Sequence, residues 1–288
     1  MATAEGREFT TEDFTYLNHG GVSLAMRLFR PTGAGPFPVV LNLHGGAWCN
    51  GDLNECRKRD EAIARAGIAS AALDFRHADD GYPSSLVDIN YASRWLKREA
   101  KRLHLDEGRV GIAGQSSGGH LAMLAAMRPC DARYLSVPLT HGDREEKGVD
   151  ASVRCVAMTW PVINPLARYR HALRARAGNP PATWVGDIPA RHERYWKSEA
   201  NMQEGNPTLA LERGEPVRTP PAIWIQGRPD PVHDFRDTES ELSVNEPERF
   251  TRRYREAGGR IEVVHIEQRD RAEQSLAPLT AFLREQLL

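Results

Sequence analysis

A serine with glycine two places before and two places after it, in Gly114-Gln115-Ser116-Ser117-Gly118, stands between a β-rich run (RVGIA) and a helical one (GGHLAMLAAM). Few side chains tolerate the strand-to-helix bend that such a pentapeptide makes, and its glycines let neighbouring backbone pass close by. The bend lifts a hydroxyl to the N-terminus of the next helix, where the dipole favours negative charge developing on an attacked carbonyl. Ser116 is the candidate nucleophile, because Ser117 lacks the matching glycines. A second constellation, His44-Gly45-Gly46-Ala47-Trp48, follows the apolar run PVVLNL directly. It lies about 70 residues upstream of the serine, where a loop of oxyanion donors belongs. The N–H groups of Gly45, Gly46 and Ser117 are the candidate donors. His44 precedes the glycines at the end of the run and reads as a residue that holds the loop, not as a base.

The elements that would position these groups alternate along the chain. Strands are expected at 22–29, 38–43, 68–73, 109–113, 155–160, 222–226 and 261–266. Helices are expected at 54–65, after Pro83, at 117–127, at 247–257 and at 276–287. In the helix after Pro83, Leu86, Ile89, Ala92 and Leu96 share one face. Short apolar strands alternating with helices give an α/β class, a mostly parallel sheet covered on both faces. The sequence reads as one domain over 1–288, with two interruptions. Residues 1–20 precede the sheet, and 164–219, rich in Arg, Pro and aromatics, form a small cap inserted above it. Trp160, Tyr169, Trp184, His192, Tyr195 and Trp196 are either a small core for that cap or a wall for an apolar acyl group. The arginines of ARYRHALRAR (167–176) read most simply as a solvated helix face, with the holding of an anionic substrate as the sharper alternative.

Taken together, HGGAW, DFRHADDGYP and GQSSGGHLA resemble the α/β-hydrolase superfamily, in its hormone-sensitive-lipase-like and feruloyl-esterase-like branch. Members carry HGGG or HGGxW, a DYRLxPE-type segment and GxSxGG(N/H)LA. The middle segment is loose here, since Arg76-His77-Ala78-Asp79-Asp80 departs from the usual residues. The resemblance runs from about Val22 to the C-terminus. It implies the α/β-hydrolase fold, a cap, a Ser-Asp-His triad, and neither cofactor nor metal. It places the acid on the loop after the penultimate core strand. There Gly227-Arg228-Pro229-Asp230-Pro231-Val232 matches the family's G-x-x-D-P-L, so Asp230 is the implied acid. Capping the following turn is the plainer role for that aspartate. Asp234 and Asp237 are less well placed.

The pattern breaks at the base. The resemblance implies a histidine just beyond the last strand, where this chain has Arg271 in the loop Glu267-Gln268-Arg269-Asp270-Arg271-Ala272-Glu273. A serine hydroxyl is a poor nucleophile without a neighbouring base. His233, three residues after Asp230, is the first candidate and His265 in the last strand the second, with His77, a cap histidine or no base left open.

Composition narrows the rest. Charges nearly cancel, with 38 Lys+Arg against 39 Asp+Glu, so nothing marks a nucleic-acid partner. No apolar run reaches membrane-spanning length, and the start MATAEGREFTTEDF has no secretory pattern. Cys49, Cys56, Cys130 and Cys155 show no CxxC pairing and read as reduced thiols of a cytoplasmic protein. The expected function is serine hydrolysis of small carboxylic esters. The HGGxW form also occurs in kynurenine formamidases, which adds aryl amides and formamides as substrates. The resemblance extends to a plant hormone receptor without the histidine, so a non-catalytic binding protein is the third reading. The partner expected is a small ester or amide; a homodimer stays open.

Overall fold

The computed structural model describes residues 6–141, 144–145 and 148–288; the first five residues of the polar start lie outside the described residues. Its centre is an eight-stranded sheet in the order β1-β2-β4-β3-β5-β8-β9-β10. The strands are β1 (Phe9–His19), β2 (Val22–Pro31), β3 (Phe37–Leu43), β4 (Ala69–Leu73), β5 (Leu105–Gln115), β8 (Val156–Thr159), β9 (Ala222–Arg228) and β10 (Ile261–Glu267). A separate two-stranded sheet pairs β6 (Thr140–His141) with β7 (Arg144–Glu145). In the eight-stranded sheet every pairing from β4 across to β10 is parallel, and β1–β2 and β2–β4 are antiparallel.

β3 and β4 are buried along their whole length, which is why they read as continuous apolar runs. Helices α2 (Ser84–Glu99), α3 (Ser117–Met127) and α8 (Glu246–Glu256) pack into the core on one face. Helices α1 (Arg57–Arg65) and α10 (Leu276–Leu287) enclose a second cluster on the other, and α9 (Arg271–Gln274) is a single turn before α10. Leu86, Ile89, Ala92 and Leu96 are all buried, as their spacing requires. Between β8 and β9 run α4 (Pro165–Arg176), α5 (Ile188–Trp196), α6 (Glu199–Glu204) and α7 (Pro207–Glu212).

One expectation is corrected. Residues 9–19 do not merely precede the sheet; they form its edge strand, returning through Gly20 and Gly21, both at positive φ, to pair with β2. β3 and β5 lie side by side with Leu43 opposite Gly114, while the chain goes outward from β3 to β4 and back to β5. That reversal opens a crevice at the strands' C-terminal ends, where open α/β sheets bind ligands. The HGGAW loop and the Ser116 bend both leave from it.

Candidate active site

Ser116 is held at φ 52 and ψ −117, a conformation few non-glycine residues adopt. Backbone bonds fix it: its N–H donates to Thr159 O at 3.0 Å, and its carbonyl accepts from Val162 N at 3.0 Å and His120 N at 3.2 Å. A Cβ on Gly118 would lie 2.2 Å from His44 O, and one on Gly114 2.2 Å from Gly118 O. Glycine at these two places is therefore a packing requirement between the bend, its helix and the HGGAW loop. Ser116 itself keeps partial solvent exposure.

The loop and the bend are tied together. Ser117 Oγ accepts from Trp48 N at 3.1 Å, and Gly45 packs against Gln115 and Ser116. Among the described residues no acceptor pairs with the N–H of Gly45, Gly46 or Ser117. These three amides are thus left unpaired, and that of Gly45 belongs to a residue packed against Ser116. His44 is buried, stacks on Phe75 with centroids 4.3 Å apart, and bonds through Nδ1 to Gly45 O at 3.0 Å. Burial pulls its pKa down to about 4, so it stays neutral and serves the loop.

His120 of the GGHLA run has a similar part. Trp48 Nε1 donates to its Nδ1 at 3.2 Å, so its Nε2–H donates to Gly205 O at 2.7 Å. Both nitrogens being committed, burial holds its pKa at about 3. In the loose middle segment, Asp74 Oδ1 accepts from Leu53 N at 2.7 Å and Arg76 pairs with Asp88 at 2.7 Å.

Asp230 and His233 share a tight turn after β9, in which Asp234 N donates to Asp230 O at 2.8 Å and Val232 N to Asp230 Oδ1 at 3.1 Å. The turn folds the ring of residue 233 back over the carboxylate. His233 Nδ1 lies 2.8 Å from Asp230 Oδ2, and its Nε2 3.0 Å from Ser116 Oγ. With Nδ1–H donated to the carboxylate, Nε2 is free to accept the serine proton. Burial lowers the His233 pKa, against the pull of Asp230. Burial alone would raise the Asp230 pKa; the His233 bond, the charges of His233 and Arg271 and the Val232 N–H outweigh it and leave it low.

Arg271, which stands where the resemblance implies histidine, does not face the serine. Its Nη1 donates to Asp230 Oδ2 at 2.8 Å, and its guanidinium lies 4.3 Å from the Trp160 ring centre. The other nominees lie elsewhere. His265 is exposed on β10 instead of packed against a neighbour, His77 meets the His44 ring edge at 6.1 Å, Asp234 pairs with Arg228 and Asp237 with Arg249. Tyr195, Trp196 and His192 are fully buried around Trp48, so these aromatics are core.

The reading of 167–176 as a solvated face fails at one position. Arg168 is buried, on the same side of α4 as Pro165 and Ala172, whereas Arg170 and Arg174 pair with Glu239 near the surface. Its three- and four-residue spacing from those two small residues was the signal available. Among the described residues, no group of three or more His, Cys, Asp or Glu could hold a metal ion.

A family model described as BD-FAE matches residues 26–240. Similar curated proteins include the probable carboxylic ester hydrolase LipM of Mycobacterium tuberculosis, 33% identical over 107 residues, or 35% of this chain and 24% of that protein. The ethyl acetate hydrolase of Pseudomonas putida is 31% identical over 131 residues, 44% of this chain and 41% of that one. The chain thus spans less than half the length of these relatives. Among solved structures, the thermostable carboxylesterase EstE1, cloned from a metagenomic library, superposes with TM-score 0.74 at 22% identity, covering 99% of this chain and 92% of its own. A Pyrobaculum calidifontis esterase does so with TM-score 0.72 at 20% identity, covering 96% and 85%. At such identities the likeness shows the fold, which is the α/β-hydrolase fold.

Proposed function

Since the chain belongs to the BD-FAE family, we propose that it is a serine hydrolase that cleaves carboxylic esters of small molecules through an acyl-enzyme. The observation that carries this reading is the line of bonds from Ser116 Oγ to His233 Nε2 at 3.0 Å and from His233 Nδ1 to Asp230 at 2.8 Å. His233 takes the proton as Ser116 attacks the carbonyl carbon, and Asp230 stabilises the imidazolium so formed. The carbonyl oxygen becomes an oxyanion against the Gly45, Gly46 and Ser117 amides. His233 then gives its proton to the departing alcohol. In the second half-reaction it takes one from the water that attacks the acyl-enzyme, and returns it to Ser116 Oγ as the ester bond to the enzyme breaks and the acid leaves.

The segment 164–219, with α4 to α7, is the cap that closes over the acyl group. Amides follow the same steps with an amine leaving. The binding-protein reading rested on the missing histidine after β10, and it loses that ground once another imidazole is in reach of the serine. Among the described residues no helix is long and apolar enough to cross a membrane. The four cysteines are free, which fits the reducing cytoplasm.

The test is turnover of p-nitrophenyl butyrate together with labelling by a fluorophosphonate probe. The expected result is hydrolysis and a single label on Ser116, both lost in Ser116→Ala. Turnover that survives Ser116→Ala, or wild-type protein that neither turns over nor labels, would sink the proposal.

A further inference from the structure

Burying a guanidinium without acceptors is costly, so proteins surround buried arginines with carboxylates or carbonyls. This chain does so repeatedly. Arg59 donates to Asn42, Thr159 and Leu43 O; Arg128 pairs with Glu204 and Glu215; Arg249 pairs with Glu212, Asp237 and Glu246. Arg168, only 2% exposed, is the exception. Among the described residues its side chain makes one hydrogen bond, from Nε to His192 Nε2 at 3.3 Å, and its Nη2 has no partner. His192 cannot serve as a counter-ion. Its Nδ1–H donates to Ile188 O at 2.8 Å, and burial keeps the ring neutral.

The position of this cation is what gives it a use. It lies 5.2 Å from the ring centre of Trp48, in the loop that carries the candidate oxyanion donors. One turn further along α4, His171 Nε2 reaches Pro231 O at 3.2 Å and its ring stacks on Phe235 at 4.4 Å. The face of α4 that carries Arg168 therefore crosses the loop holding Asp230 and His233. The charge of Asp230 favours the Arg168 guanidinium, and the charge of Arg168 disfavours the His233 imidazolium. Arg168 is not ion-paired with the Asp230 carboxylate, which is already bonded by Arg271, His233, Gln226 and Val232 N.

We propose that Arg168 is the specificity-determining residue of this site, and that the substrate is an ester bearing a second, anionic carboxylate that the unpaired Nη2 edge receives. This rests on the hydrolase reading above and adds the substrate class. The guanidinium fork suits a carboxylate, and a charge-assisted bond in a dry site is stronger than a neutral one.

The test compares an anionic ester with its neutral counterpart, monomethyl and dimethyl glutarate. Wild-type protein should prefer the anionic ester in kcat/KM. The anionic-to-neutral ratio should fall about ten- to a hundredfold in Arg168→Met, through KM, with part restored in Arg168→Lys. A ratio near one in wild type, or one that Arg168→Met does not move, overturns the proposal. Binding separates it from the question of catalysis. Ser116→Ala protein titrated calorimetrically should bind monomethyl glutarate more tightly than the dimethyl ester, and Arg168→Met should abolish the difference. Anion binding without any turnover would sink the hydrolase reading alone. Turnover without anion preference would sink this one alone. Circular dichroism of each variant confirms that it is folded.

Discussion

At His233 opposing demands meet. Burial disfavours the imidazolium, Asp230 favours it, and the charges of Arg168 and Arg271 oppose it again; the outcome is a pKa below the ordinary 6.5. As the proposed base, His233 must be neutral to take the serine proton, so the acidic limb of kcat/KM should lie below pH 6.5. Removing a nearby cation makes the imidazolium easier to form. Arg271→Met should therefore move that limb to higher pH, which a pH–rate profile on p-nitrophenyl butyrate would show. A limb that stays put or moves down would mean that Arg271 serves packing on Trp160 only. His233→Ala should lower kcat about a thousandfold, whereas His265→Ala should leave it within about twofold. The sequence made Ser116 the candidate nucleophile clearly, because the glycine-flanked serine stands between a strand run and a helix run, a context that leaves a mere packing turn as the weaker reading. It carried the histidine poorly. Whether a ring three residues past its carboxylate folds back or points away depends on the turn bonds around Asp230, which no spacing reveals.

Among the elements, the crossing of β3, β5 and α3 tolerates least. A methyl at Gly118 would overlap the carbonyls of His44 and Leu43, at 2.2 and 2.6 Å, which are backbone atoms and cannot turn aside. Gly118→Ala should cost about 3 kcal/mol in urea unfolding, and a loss below about 0.5 kcal/mol would show that α3 slides freely. Helix α4 depends on one residue in another way. Asn164 Oδ1 accepts from Ala167 N at 3.0 Å and from Asn206 Nδ2 at 2.7 Å, while its Nδ2 donates to Glu246 at 3.0 Å. It caps α4 and ties that helix to α7 and α8, so Asn164→Ala should cost about 2 kcal/mol, the upper end for a lost cap. The helices flanking the sheet and its buried strands were legible from their apolar runs and periods, whereas the short cap helices α5, α6 and α7 were not read individually. Strand β1 was not: Thr10, Thr11, Glu12 and Asp13 lie exposed or half-exposed on an edge strand, so its alternation is faint against a polar background.

Across the whole molecule, acid should act on a few buried groups whose effects have opposite signs. His44 and His120 are held near pKa 4 and 3, and His192 well below 6.5, because burial resists their charging. An unfolded chain would bind those protons from about pH 6.5 downward, so each histidine removes roughly 1.4 kcal/mol of stability per pH unit. Asp60 and Glu246, raised by burial to about 6 and 7, behave the other way. The folded protein protonates them first, and each returns a similar amount between its folded value and its ordinary one near 4. From pH 6 to 4.5 these five groups set three losses against two gains, with His171 and His233 adding to the losses and Asp74 and Asp88 to the gains. Replacing both carboxyls, in Asp60→Asn with Glu246→Gln, removes their gains and should make stability fall more steeply with acid than in the wild type. Urea unfolding at pH 6.0, 5.2 and 4.5 reads both slopes, and equal slopes in the two proteins would refute the assignment. Two of the three histidines, His120 and His192, lie where the Trp48 loop meets the chain between β8 and β9, one bonded to Gly205 O and the other to Arg168. Charging them would break that seam first, so hydrolysis should be lost on acidification before the sheet unfolds.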